Sequence, residues 1–181
     1  MNLLFTGVGG QGTILTTKLL SNALAEQGYD VKMSEIHGMS QRGGTVLTQL
    51  KYGGKVYAPN ICPGEADYVI AFEKAEAIRA IPWLKPGGTV VYDDREILPM
   101  PVLLGKAEYP GEISDSRYQI ADMRLIHVPA YKIASELGSA RDQNIVMLGA
   151  IAKLLGTEVA IPSKFNAAAY QAGGTYIETN S

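Results

Sequence analysis

The sequence is poor in the residues from which most metal and redox sites are built. Its 181 residues include one cysteine, Cys62, and two histidines, His37 and His127. A single thiol excludes an internal disulfide, and it excludes an iron–sulfur cluster held by this chain alone, because clusters need several thiolates. One cysteine also suits a reducing cytoplasm. The two histidines and Cys62 do not stand at metal-ligand spacing, so no metal site is expected. Charge of one sign is missing too: the formal net charge is -2, which gives no electrostatic reason for a nucleic-acid or acidic-membrane partner. No apolar run approaches the roughly 20 residues of a membrane span. No basic stretch precedes an apolar run at the N-terminus, so a signal peptide is not expected and the cytoplasm is the expected location. With 46% apolar and 19% charged residues, the composition is that of an ordinary globular protein. The length fits a single domain over residues 1–181.

What the chain does have is glycine in informative places. It opens Met1-Asn-Leu-Leu-Phe-Thr-Gly7-Val-Gly9-Gly10-Gln11-Gly12. A short apolar run, Leu3–Thr6, meets a glycine turn, and a helical pattern follows from Thr13 to a stop at Gly28. Strand, glycine turn and helix in that order give G-x-G-x-x-G its meaning. Backbone N–H groups and a helix N-terminus converge on one point and favour an anion there. In this reading Gly7 permits the turn out of the strand, Gly9 lets the backbone come close to a ligand, and Gly12 lets the helix pack near the sheet. Gln11 adds an amide that donates and accepts. A ribose-binding carboxylate belongs about twenty residues further on, and Glu35 stands there. The same glycines also suit a bare strand-to-helix joint, and the motif does not choose among NAD, FAD, coenzyme A or another phosphate.

Further along, the pattern predicts strands at Tyr29–Ser34, Thr45–Tyr52, Ala66–Phe72, Thr89–Tyr92 and Arg124–Val128. Gly53-Gly54, followed by Lys55–Ala58, predicts a tight antiparallel hairpin. Helices are expected at Glu73–Ile81, Tyr131–Leu137, Asp142–Leu155 with Asp142 as N-cap, and from a Ser163 cap to about Ala172. Residues 95–122, with Pro99, Pro101 and Pro110, read as an irregular excursion. Strands alternating with helices argue for an α/β class: one Rossmann-like domain, a largely parallel sheet with an antiparallel hairpin, and helices on both faces.

The loop His37-Gly38-Met39-Ser40-Gln41-Arg42-Gly43-Gly44 is the second candidate. Loops after the first two strands of an open α/β sheet share its carboxyl edge. Arg42 is suited to clamp a phosphate or carboxylate, and His37 to move a proton or donate a hydrogen bond. A solvated polar loop accounts for the same residues. Other groups carry less. His127 reads as a core or edge histidine, Asp93-Asp94 as strand-end caps, Cys62 as a buried or inert thiol, and Asp67 and Glu73 as polar ends of a buried strand.

Five stretches, taken together, resemble a known family: Gly7–Gly12, His37–Gly44, Ala66-Asp-Tyr-Val-Ile-Ala-Phe-Glu73, Leu84-Lys-Pro-Gly-Gly88 and Asn144-Ile-Val-Met-Leu-Gly149. The chain resembles the gamma-type subunit of 2-oxoacid:ferredoxin oxidoreductases, and within them the subunit beta of the indolepyruvate branch. The similarity runs to about Gly173. It implies a share in an enzyme that oxidatively decarboxylates an aryl 2-oxoacid to an acyl-coenzyme A, with ferredoxin as electron acceptor. Thiamine diphosphate, Mg and iron–sulfur clusters would sit in a large catalytic partner subunit, and the isolated chain would be inactive. The family's gamma module is not an NAD enzyme, so Glu35 loses its claim as a ribose ligand. The residues expected to face a phosphate, with coenzyme A as substrate, are Gly7, Gly9, Gly10, Gln11, Gly12, Ser40, Gln41 and Arg42. His37 and Arg42 are the catalytic candidates. A free-standing NAD(P)-dependent reductase and a non-catalytic nucleotide-binding scaffold are the competing readings.

Overall fold

In a computed structural model, residues 1–37, 44–113 and 122–180 are described. One sheet of six strands runs in the order β2-β3-β1-β4-β5-β6. The strands are β1 (Asn2–Val8), β2 (Asp30–His37), β3 (Thr45–Gly53), β4 (Ala66–Ala71), β5 (Leu84–Tyr92) and β6 (Arg124–His127). β1, β4, β5 and β6 pair in parallel, whereas β3 is antiparallel to both β1 and β2.

The parallel strands read as continuous apolar runs because both of their faces are covered. Leu3 and Phe5 of β1, Ile70 of β4 and Val91 of β5 pack on one face, under α1 (Thr13–Glu26), α4 (Ala130–Glu136), α5 (Gln143–Leu155) and α6 (Ala167–Asn180). The alternate residues Leu4, Val69 and Val90 pack on the other face against Ala77 and Ala80 of α2 (Lys74–Ala80). Phe5, Leu3, Leu4 and Ile70 are fully buried, and each such side chain contributes about 1.5–3 kcal/mol relative to exposure. A short helix, α3 (Met100–Leu103), lies in the excursion after β5.

The α/β class, the mostly parallel sheet, the antiparallel element and helices on both faces are as the sequence implied. The hairpin is elsewhere. Lys55–Ala58 forms no strand, because both edges of β3 are already taken, one by β1 and the other by β2. The segment after β3 is tied down by side chains instead. Gln49 accepts from Ile61 N at 3.1 Å and donates to Ile61 O at 3.3 Å, and Asp30 Oδ2 accepts from Val56 N at 2.9 Å. The antiparallel partners of β3 are β1 and β2, and β2 extends past Ser34 to His37.

The caps also differ from expectation. Asp142 makes no side-chain cap on α5, and its Oδ2 accepts from Asn166 Nδ2 at 3.0 Å. Asn166, not Ser163, caps α6 through Ala168 N and Ala169 N, and α6 runs on to Asn180. A helix continues while its apolar positions find a surface, and Ile177 is buried in the main core. Cys62 is exposed rather than buried.

Candidate functional site at the carboxyl edge of β1

From β1 the chain crosses through α1 to β2 on one side of the sheet, and β4 later pairs with β1 on the other side. The chain therefore switches direction at β1, which is where open α/β sheets bind ligands beyond their carboxyl ends. Residues 9–12 occupy that point. Gly7 lies within β1, not in the turn, and its role is close packing. A Cβ there would fall 2.9 Å from Gln11 Oε1 and from Thr13 Cγ2. Gly12 is the N-cap of α1 in the left-handed region, φ 82°, and without a side chain it cannot cap the helix. Gly10, φ +103°, has nothing among the described residues within 4 Å of its Cβ position.

Gln11 is structural. Its Oε1 accepts from Val8 N at 2.7 Å and its Nε2 donates to Phe72 O at 2.6 Å, so the amide is spent on holding the turn against β4. Gln143, at the start of α5, donates to the same carbonyl at 2.7 Å and to Asp93 Oδ2 at 2.8 Å. Its Oε1 accepts from Arg95 Nη1 at 2.7 Å, and the Arg95 guanidinium lies over the Tyr131 ring at 4.1 Å. Asp93 also accepts from Tyr131 N and Arg95 N. Burial pushes its carboxyl up to about 7, against the pull of those two N–H donors. The strand-end role expected for Asp93 is thus real, within a network that reaches from β5 to the glycine turn.

The second loop begins and ends at this edge. Gly9 N donates to Gly44 O at 2.9 Å, and His37 pairs in register with Val46. Thr45 Oγ1 and Thr6 Oγ1 both donate to the buried carboxylate of Glu76, which also pairs with Arg79. Ser40, Gln41 and Arg42 lie outside the described residues, and so do Gly38, Met39 and Gly43. The loop that carries them leaves and re-enters the fold beside Gly9. Glu35 is paired with Lys18 of α1 at 3.2 Å. His127 sits on the edge strand β6, with Nε2 3.2 Å from Asp94 Oδ2.

The family model for pyruvate ferredoxin/flavodoxin oxidoreductase matches residues 2–180. The chain belongs to this family. Indolepyruvate oxidoreductase subunit IorB of Pyrococcus horikoshii is 38% identical over 157 residues, which is 86% of this chain and 78% of that protein. Among solved structures, the keto/oxoacid ferredoxin oxidoreductase gamma subunit from Geobacter sulfurreducens PCA superposes with a TM-score of 0.69 at 21% identity, covering 98% of both chains. The 2-oxoglutarate:ferredoxin oxidoreductase from Magnetococcus marinus, solved with 2-oxoglutarate, coenzyme A and succinyl-CoA bound, gives 0.73 at 21% identity. All of this chain matches it, but only 31% of that longer chain is covered. The same fold therefore occurs both in a chain of similar length and within a longer polypeptide.

Four residues near the site had roles that the sequence reading missed. Gln143 and Asn144 precede the apolar run Ile145–Ala152, and a polar pair at that point was the available signal. Glu73 was read as the polar end of a strand; it is buried, and it caps α2. Its partner Tyr109 lies in the stretch with no periodicity at all, where no signal existed.

Proposed function

We propose that this chain is the small subunit of an oxidoreductase that oxidatively decarboxylates an aryl 2-oxoacid of the indolepyruvate kind. The product is an acyl-coenzyme A and the electron acceptor is ferredoxin. The reading is supported by family membership together with 38% identity to a protein named as an indolepyruvate oxidoreductase subunit. Thiamine diphosphate, Mg and iron–sulfur clusters belong in this reading to a large catalytic partner subunit. That division suits a chain with one cysteine, and the cytoplasm is the location we propose for the assembly. No helix among the described residues is long and apolar enough to cross a membrane.

Within the assembly, this chain's task is to close the site and to hold the phosphate end of coenzyme A. One observation carries that assignment: α1 begins at the switch point of the sheet with no acid in its first turn and no side-chain cap among the described residues. Its free N–H groups and positive dipole end favour a phosphate. Gly44, at the end of the loop His37–Gly44, is bonded to Gly9, and Arg42 of that loop is the clamp we propose from the sequence. The free-standing NAD(P) reductase is not favoured, since the relatives are subunits and Glu35, the expected ribose ligand, is paired with Lys18.

The test is reconstitution with the partner subunit and an indolepyruvate-dependent dye-reduction assay. Gly10→Phe fills open space above the turn, and Arg42→Ala removes the clamp. Each should raise KM for coenzyme A about tenfold or more while the complex still assembles. Unchanged kinetics in both assembled variants would remove the phosphate assignment. Turnover by the isolated chain with a nicotinamide cofactor would remove the subunit reading.

A further inference from the structure

We propose that Asn144 is a ligand-binding residue, whose carboxamide completes a phosphate site with the N-termini of α1 and α5. This rests on the reading of the glycine turn as an anion site and assigns that site a side chain.

Asn144 lies in the first turn of α5 and is only 6% exposed. Its main-chain oxygen accepts from Thr16 Oγ1 at 3.1 Å, which fixes α5 against α1. Its side-chain amide, by contrast, has no hydrogen-bond partner among the described residues. A carboxamide offers two donors and an oxygen acceptor, and about nine in ten buried polar groups find a partner. The amide is not sealed from solvent, since Thr48 Oγ1 alone among the described residues is a fully buried side-chain atom without a partner, so its donors and acceptor are open to a ligand.

The direction of the amide is set by Gly12. A Cβ built on Gly12 would lie 2.7 Å from Asn144 Nδ2 and 2.9 Å from Cγ. The carboxamide therefore lies against the α-carbon of the α1 N-cap, beside the first-turn N–H groups of that helix. Two helix N-termini of 14 and 13 residues meet there, and both favour negative charge. The nearby acids do not occupy the position. Asp142 is held by Asn166, Asp93 by Gln143, Tyr131 N and Arg95 N, and Glu73 caps α2. What fits a cluster of N–H donors with one amide is an acceptor-only anion, and phosphate oxygens match that description. A neutral amide holds phosphate less tightly than a guanidinium does, which suits a phosphate that arrives and leaves with a substrate rather than a resident group.

The experiment uses the full chain, alone and assembled with its partner, with inorganic phosphate and adenosine 3′,5′-bisphosphate as probes. Binding is followed by calorimetry and by the side-chain amide resonances in nitrogen-15 spectra. In the wild type, the Asn144 amide signal, identified by its loss in Asn144→Ala, should shift on titration. Asn144→Ala should weaken both probes about tenfold or more. Asn144→Asp should weaken them further, because it sets a carboxylate where the anion belongs, yet its Tm should hold or rise, since a carboxylate at a helix N-terminus is stabilising. A merely structural Asn144 predicts the reverse, a lowered Tm in both variants with unchanged affinity, and that result overturns the proposal. Wild-type affinity in both Asn144 variants, with binding lost in Gly10→Phe, would overturn the role of Asn144 and leave the glycine-turn reading standing. No binding of either probe by wild type, alone or assembled, would remove both.

Discussion

α1 and α2 leave neighbouring parallel strands at the same edge of the sheet, yet they begin in opposite ways. α2 is sealed by its own chain. Glu73, 1% exposed, accepts from Glu76 N at 2.9 Å, from Ile97 N at 3.1 Å and from the Tyr109 hydroxyl. Burial, together with the adjoining Glu73 carboxylate, pushes the Tyr109 phenol well above its ordinary value. α1 begins with a glycine that has no side chain to offer, and no other side chain among the described residues caps it. One strand–loop–helix unit thus satisfies its first-turn donors internally, while its neighbour leaves them for something else. The contrast favours the proposed ligand site at β1 over one at β4, although both loops lie at the carboxyl edge.

The comparison can be broken from either side. The largest effect is expected from Glu73→Ala, which strips an acceptor from three donors at once; the loss should be about 3–5 kcal/mol in urea unfolding of the full chain. A loss below about 1 kcal/mol would mean that water caps α2 equally well, and the contrast with α1 would fade. Gly12→Ala comes next. It forces a Cβ into the left-handed region and onto the Asn144 amide, and about 2–4 kcal/mol should be lost in the same assay. If that variant were as stable as wild type, α1 and α5 would not be in the contact described. Gln11→Ala should cost about 1–2 kcal/mol. It frees Val8 N–H, but the Phe72 carbonyl keeps its bond from Gln143. The smallest change, Lys18→Ala, removes a pair to Glu35 from a lysine whose side chain is 57% exposed. It should move stability by less than about 0.5 kcal/mol. A larger effect would show that the body of α1, and not only its mouth, carries an electrostatic task.

Much of this frame was legible because it is written in local patterns. Apolar runs such as Ala66–Phe72 gave the buried strands, and Gly28 marked the end of α1, where its φ is 90°. The strand, glycine turn and helix stand where the pattern put them, but two residues have structural roles that it did not show. Gln11 looked like a ligand group and is a brace. Gly7 looked like a turn and is a point of close packing. Those roles depend on Phe72, more than sixty residues away, and no spacing rule records such a contact. The antiparallel strand was expected from two glycines, a local signal. Its true partner was decided by competition for the edges of β3, which is a property of the whole sheet. Glu73 and Tyr109 were out of reach for the same reason, since their bond joins a strand end to an unpatterned excursion.

Where α5 and α6 cross, their backbones touch. A Cβ on Gly149 would lie 1.9 Å from Tyr170 O, and one on Gly173 would lie 1.9 Å from Val146 O. With no side chains between them to bend or turn, the crossing behaves as a pinned joint: sliding either helix drives an α-carbon into a carbonyl. The two helices must travel together. Asn166 beside Asp142 and Glu178 beside Lys153 fasten the pair on either side of the pin. A push on the outer surface of α6 is therefore delivered, with little lost to play, to Gln143 and Asn144 at the far end of the lever.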